Sequence, residues 1–259
     1  MKSLIYGNGE SRQVWDVTKK YDGFVTWGCN AIYRDAVVDN LVAIDYGIQQ
    51  EIYESDYVTI NRCHFADWAI LEDFDPEFLK MNYTPMDVHE TEKGNSKSCV
   101  VQGKERETAE KNYEQMIAQF PHLDKDDVKG KCYNNVGLYI TWLKESDCVE
   151  YIEYPREWCA GATAMYLSCQ EGADEVYMLG FDLSEYDEPI NNIYKGTKNY
   201  LPETSKGFNT DNWTTQLIQV FKDFPETQFY WVVNEDASPL VCNNVQSITY
   251  KELDKRCQV

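Results

Sequence analysis

The chain opens on a short apolar run, Ser3-Leu-Ile-Tyr6, that breaks at Gly7-Asn8-Gly9 and then turns polar. Further apolar runs follow at about 23–27, 41–45 and 57–60, with helix-like spacing between them at about 10–20 and 46–53. Runs that stay apolar on successive residues predict strands buried on both faces, as in a parallel sheet covered by helices. Signals this closely spaced suit a doubly wound sheet.

The pattern then changes. Over 73–105 polar residues, Gly and Pro dominate and periodicity fades, which predicts an insertion or lid; the insertion as a whole extends to about 135. Helical spacing is expected at 106–119 and near 134–144. A second ordered core begins at about 149, with a strand at 149–152, a helix at 160–170 and a buried strand at 175–180. Residues 183–211 again lack periodicity and read as a lid loop, before a helix at about 212–223 and a strand at 228–233. The expectation is a single α/β domain over 1–259, a mostly parallel sheet with helices on both faces.

At 259 residues the chain can bury roughly three quarters of its unfolded surface without disulfide support. Its nine cysteines are scattered and include no C-x-x-C pair, which argues against a zinc ribbon and for reduced thiols. The first residues run straight into a strand, so no signal peptide is expected, nor is any run apolar enough for a membrane span. These points place the protein in the cytoplasm. A net charge of −20 repels a phosphate backbone and argues against nucleic acid as a bulk partner, while leaving a homo-oligomer open.

Candidate chemistry gathers at the predicted strand ends. Gly7, Asn8 and Gly9 sit where a first strand meets a first helix, where glycines let backbone approach a ligand and helix N–H groups favour an anion. Arg12 stands where a dinucleotide fingerprint needs its third glycine, so that motif is incomplete, and a ligand-free turn capped by Ser11 stays open as the alternative. Asn30 and Asp45 end the next strands and bring an amide and a carboxylate to the same edge, as ligand groups or as helix caps. Cys159-Ala160-Gly161 opens a helix with small residues, suited to an anion or to tight packing on a sheet. Gly180-Phe-Asp182 delivers a carboxylate as a candidate general base, sugar-hydroxyl acceptor or metal ligand. Three histidines without ligand spacing make a histidine-rich metal site improbable. The loop bearing Tyr186, Tyr194, Lys195, Lys198, Tyr200 and Lys206 is locally basic, a cover for phosphates or a sugar.

Taken in order, "LIYGNGES", "VTWGCNAIY" and "CAGATAMYLSCQEGADEVYMLGFDLSEY" resemble the motif series of the bacterial sialyltransferases of glycosyltransferase family 42 and of the related MptE-like (DUF115) proteins. The resemblance covers those three blocks and neither 73–135 nor the C-terminal tail. It implies a Rossmann-like fold with a lid and a nucleotide-sugar donor, a CMP-sugar in the sialyltransferases. By position Asn8 and Asn30 would contact the nucleotide, Gly161 would lie by its phosphates or ribose, and Asp182 in the donor pocket. The sequence departs from the family pattern at Glu10 for Pro, Ala160 for Ser, Gly28 for Arg and Phe208 where the catalytic His is expected.

The resulting expectation is a nucleotide-dependent transferase, a glycosyltransferase with a nucleotide-activated sugar as donor and a glycan or other hydroxyl as acceptor, without an obligatory metal. Its nucleotide contacts are Gly7, Asn8, Gly9, Ser11, Asn30, Asp45, Ala160, Gly161 and Asp182, with Asp182, Tyr194 and Tyr200 as catalytic candidates. Two alternatives stay open. One is diphosphate transfer from ATP with magnesium held by Asp45 and Asp182. The other is a catalytically silent nucleotide-binding module.

Overall fold

The computed structural model describes residues 1–66, 83–93, 96–134, 138–144, 147–152, 158–183, 188–234, 240 and 242–258. These divide into two compact units, one of residues 1–49, 60–66 and 148–259, the other of 50–59 and 67–147.

The first unit is built on a parallel eight-stranded sheet. Its strands are β1 (Lys2–Tyr6), β2 (Phe24–Cys29), β3 (Asn40–Ala43), β4 (Cys63–Ala66), β8 (Val149–Ile152), β9 (Glu175–Leu179), β10 (Gln228–Val233) and β11 (Val245–Thr249). They lie in the order β11-β10-β9-β1-β2-β3-β4-β8. The chain therefore winds outward from β1 on one side, crosses back, and winds outward again from β9 on the other. That reversal between β1 and β9 is where ligands enter open α/β sheets. The α/β, doubly wound, Rossmann-like class expected from the sequence is the one observed.

The strands pair because their side chains are apolar on both faces. Leu4, Ile5 and Tyr6 of β1 and Val176, Tyr177, Met178 and Leu179 of β9 are completely buried. The crossover helix α4 (Ala160–Gln170) packs on β1, β2, β3 and β9, and its small residues Ala162 and Ala164 allow the close approach. Helix α5 (Asp211–Asp223) buries Leu217, Val220 and Phe221, an i, i+3, i+4 stripe. Helix α6 (Tyr250–Cys257) starts at a capping box: the Glu252 amide donates to Thr249 Oγ1 (3.3 Å) and the Thr249 amide donates to the Glu252 carboxylate (2.7 Å).

The second unit holds an antiparallel sheet of β5 (Tyr83–Lys93), β6 (Ser96–Glu105) and β7 (Leu138–Lys144), with helices α2 (Arg106–Gln119) and α3 (Lys125–Asn134). The expected insertion at 73–135 falls here, although 73–82, 94–95 and 135 lie outside the described residues. Helix α1 (Tyr46–Glu54) begins in the first unit and continues into the second.

Several local expectations need correction. The helix expected at 10–20 is a 3-10 turn over Glu10–Val14, ended where Asp16 Oδ1 accepts from the Thr18 amide (3.0 Å) and hydroxyl (2.6 Å). The apolar run at 57–60 is a 3-10 turn, and the strand follows at Cys63–Ala66. The helix expected near 134–144 is the strand β7, whose Leu-Tyr-Ile-Thr-Trp-Leu run favours a pleated surface. Among the described residues no helix is long and apolar enough to cross a membrane.

Candidate functional site

The ends of β1 and β9 meet at the switch point turn against turn. The Gly7 amide donates to Leu179 O (2.8 Å) and the Gly9 amide to Gly180 O (2.9 Å). A Cβ on Gly7 would stand 2.6 Å from Gly180 O, and one on Gly9 2.6 Å from the Asp182 carboxylate. Gly180 itself has φ +69°, in the left-handed region. The two glycines of Gly7-Asn8-Gly9 are thus required by the neighbouring turn, and the side chain between them is left at the edge of the sheet.

A cavity of about 160 Å³ opens there. Its walls include the Gly7–Gly9 turn, Cys29 at the end of β2 and Asn30 after it, the Cys159–Gly161 start of α4, Phe181 and Asp182 after β9, Asn191 and Asn192, and Trp213 and Leu217 of α5. Asn8 Nδ2 donates to Tyr200 OH (3.3 Å), which fixes the amide so that Oδ1 is its open acceptor. That Oδ1 is buried without a hydrogen-bond partner, and so is the Oδ1 of Asn30. Buried carbonyl oxygens are almost always paired in folded proteins. Asn30 adds a second anomaly, a non-glycine φ of +51°, a conformation that costs energy and clusters at functional sites.

Asp182 is held in one position. Its Oδ2 accepts from the Ser11 amide (2.8 Å) and its Oδ1 from the Ser11 hydroxyl (2.5 Å), which also lies 3.3 Å from Tyr250 OH. Each carboxylate oxygen keeps a further lone pair. Cys29 and Cys159 also line the cavity, and burial raises both thiols above their ordinary range, so neither is a thiolate at neutral pH. Among the described residues no Lys, Arg or His lines the cavity, and the amides of Ala160 and Gly161, in the first turn of α4, are its anion-favouring groups.

The segment expected to be a lid, as far as it is described, is fastened to this edge. The Ile193 amide donates to Asn8 O (2.8 Å), Asn191 Oδ1 accepts from the Glu10 amide (2.8 Å), and Lys195 pairs with Glu10 (2.6 Å). Arg34 donates to Thr197 Oγ1 (2.7 Å) and Lys198 O (3.0 Å). Tyr194 OH donates to Asp35 (2.6 Å) and accepts from the buried Arg12 (3.2 Å), while Tyr200 OH accepts from the Ala31 amide (3.3 Å). Burial pushes both phenols up, with Asp35 adding to the effect on Tyr194, so both keep their protons. Tyr194 ties Arg12 to Asp35, and Tyr200 orients Asn8. Tyr186 lies outside the described residues.

Gly7, Asn8, Gly9, Asn30, Ala160, Gly161 and Asp182 are therefore brought together, whereas Ser11 reaches the site through Asp182. Asp45 is not among the residues lining the cavity: it sits at the start of α1, where its carbonyl accepts from the amides of Ile48 (3.1 Å) and Gln49 (3.0 Å), and burial raises its carboxyl above the ordinary range. The sequence reading missed Asn191, Asn192 and Trp213. The Asn-Asn pair was a usable signal, since adjacent amides in a loop without periodicity supply both donors and acceptors. Trp213 is partly open and meets the half-exposed Phe208 edge to face, ring centroids 6.1 Å apart.

Fold and cavity define a doubly wound α/β chain with a concave polar site at its switch point. Neither a protein-family model, nor a curated protein, nor a solved structure matches it.

Proposed function

We propose that this chain is a nucleotide-dependent transferase that uses a nucleotide-activated sugar as donor, as in the sialyltransferase-like and MptE-like proteins its motifs resemble. The observation that carries the reading is the pair of orphaned amide oxygens, Asn8 Oδ1 and Asn30 Oδ1, at the switch point. Both call for ligand donors, as a ribose hydroxyl or a base amino group provides. Trp213 supplies an aromatic surface for a base. The first turn of α4 supplies amides for a phosphate.

In the transfer, Asp182 takes the proton of the acceptor hydroxyl as that oxygen forms its bond to the anomeric carbon. The bond from that carbon to the phosphate oxygen breaks, and its electron pair leaves on the phosphate, stabilised by the α4 amides. Asp182 has the lone pairs for this role, and its contacts with Ser11 hold it in place. The magnesium alternative gains less support, because Asp182 lines the cavity and Asp45 does not. Free thiols among the described cysteines agree with a cytoplasmic setting.

The test is a thermal-shift panel of CMP, UDP, GDP and ATP, each with and without magnesium. CMP without metal is expected to raise the midpoint, by about 2.7 kcal/mol of stabilisation at a hundred times its dissociation constant. Stabilisation by ATP with magnesium alone would favour diphosphate transfer, and no shift with any nucleotide would remove both enzyme readings.

A further inference from the structure

A second, larger cavity of about 690 Å³ adjoins the first, between the ends of β1, β9 and β10. The two share Phe181, Asp182, Leu183 and Asn191, so Asp182 stands on their common wall. On its far side the larger cavity is lined by Trp231, Val233 and Asn234 at the end of β10 and by Leu240. No cationic side chain lines it among the described residues.

We infer that this cavity is the acceptor subsite and that it takes a neutral, polyhydroxylated ligand, the end of a glycan chain. The inference rests on reading the smaller cavity as the nucleotide pocket. Besides the Trp231 indole, the polar groups lining the larger cavity are the carboxylates of Glu10 and Asp182, the amides of Asn191 and Asn234 and the Ser11 hydroxyl, a set rich in acceptors and so suited to a ligand with many O–H donors. The apolar side chains of Val233 and Leu240 suit the C–H face of a pyranose. Charge selects further. Glu10 is already neutralised by Lys195 at 2.6 Å, and both oxygens of Asp182 already accept from Ser11. One satisfied carboxylate does not demand a cation, yet with no facing cation it repels an anion. A hydroxyl bound here reaches the Asp182 face opposite the nucleotide, where its proton has somewhere to go.

The test is saturation-transfer NMR of the full chain with CMP present, using methyl glucoside, methyl galactoside, the amine methyl glucosaminide and the acid methyl glucuronide. The neutral glycosides are expected to receive saturation and the glucuronide not to. Val233→Trp, which narrows the cavity at its far wall, and Asn234→Ala, which removes a polar wall, are each expected to weaken neutral-glycoside binding about tenfold while leaving CMP affinity unchanged. Binding of the glucuronide, binding of the glucosaminide alone, or neutral binding untouched by both variants would overturn the assignment. CMP binding with no glycoside signal would overturn the acceptor subsite alone. Glycoside signals in a protein that binds no nucleotide would instead overturn the nucleotide reading.

Discussion

Asp182→Asn is expected to lower the release of CMP from a CMP-sugar by about a thousandfold, within the range of a lost general base. The substitution keeps the size of the side chain and an oxygen for the Ser11 contacts, but it removes the group that accepts the proton. Nucleotide affinity should change by about threefold or less, because the binding groups assigned here are Asn8, Asn30 and the start of α4. A drop in kcat without a matching rise in KM therefore separates a catalytic Asp182 from one that only braces the Gly7–Gly9 turn. Unchanged kcat would remove it as the base. Parallel loss of affinity and thermal stability would reduce it to a bracing role.

The second large effect concerns pH, at the opposite end of the sheet from the cavities. His64 of β4 is buried against Trp27, ring centroids 5.2 Å apart, and its Nε2 meets Asn40 Oδ1 (3.1 Å). Arg62 donates to the same oxygen (3.0 Å) and pairs with Glu150 and Glu171, and Glu150 lies 3.6 Å from His64 Nδ1. Burial, helped by the Arg62 guanidinium and opposed by Glu150, brings the imidazole down to about 4. The unfolded chain holds this proton at about 6.5, so between those values the unfolded state binds more protons and stability falls as pH falls. The contribution is intact above 6.5 and amounts to a loss of about 3 kcal/mol once the pH has dropped below 4. His64→Phe keeps a ring against Trp27 and removes the titration. Denaturant unfolding of both proteins across this window should show the variant losing about 3 kcal/mol less than the parent. Parallel losses would mean that His64 is not buried as described.

What could be read from the sequence follows from where each segment is buried. The helix expected at 160–170 and the strands at 175–180 and 228–233 match α4, β9 and β10 closely, because buried central elements carry an unbroken apolar signal. Glu10–Val14 failed as a longer helix because tertiary contacts decide it: the Glu10 amide is taken by Asn191 and Arg12 is drawn under the 188–207 strap. In the antiparallel sheet, β5 and β6 were missed because their segments are mostly polar, and β7 because its short apolar run fits a buried helix as well as a strand. At the C-terminus, Thr249-x-x-Glu252 was a legible capping box that would have located α6 and, just before it, the edge strand β11.

The site was legible by type at Asn8, Asn30, Gly161 and Asp182, since each follows a predicted strand or opens a predicted helix. Its reach was not. Asn191, Asn192 and Trp213 enter the wall only because a loop with no periodicity is pinned across the strand ends by long-range bonds such as Ile193 to Asn8. The opening glycines also changed meaning. Gly7 and Gly9 look like a phosphate cradle in sequence, yet their immediate neighbour is the Gly180–Asp182 turn, and the ligand-facing group between them is the amide of Asn8.

That amide gives the most direct measurement. Calorimetric titration of CMP without metal, into the parent chain and into Asn8→Ala and Asn30→Ala, is expected to give saturable binding to the parent. Each variant should bind at least about tenfold more weakly, the cost of one lost hydrogen bond in a desolvated site. Equal binding by all three proteins, or no binding by the parent, would contradict a nucleotide pocket at the β1/β9 switch point.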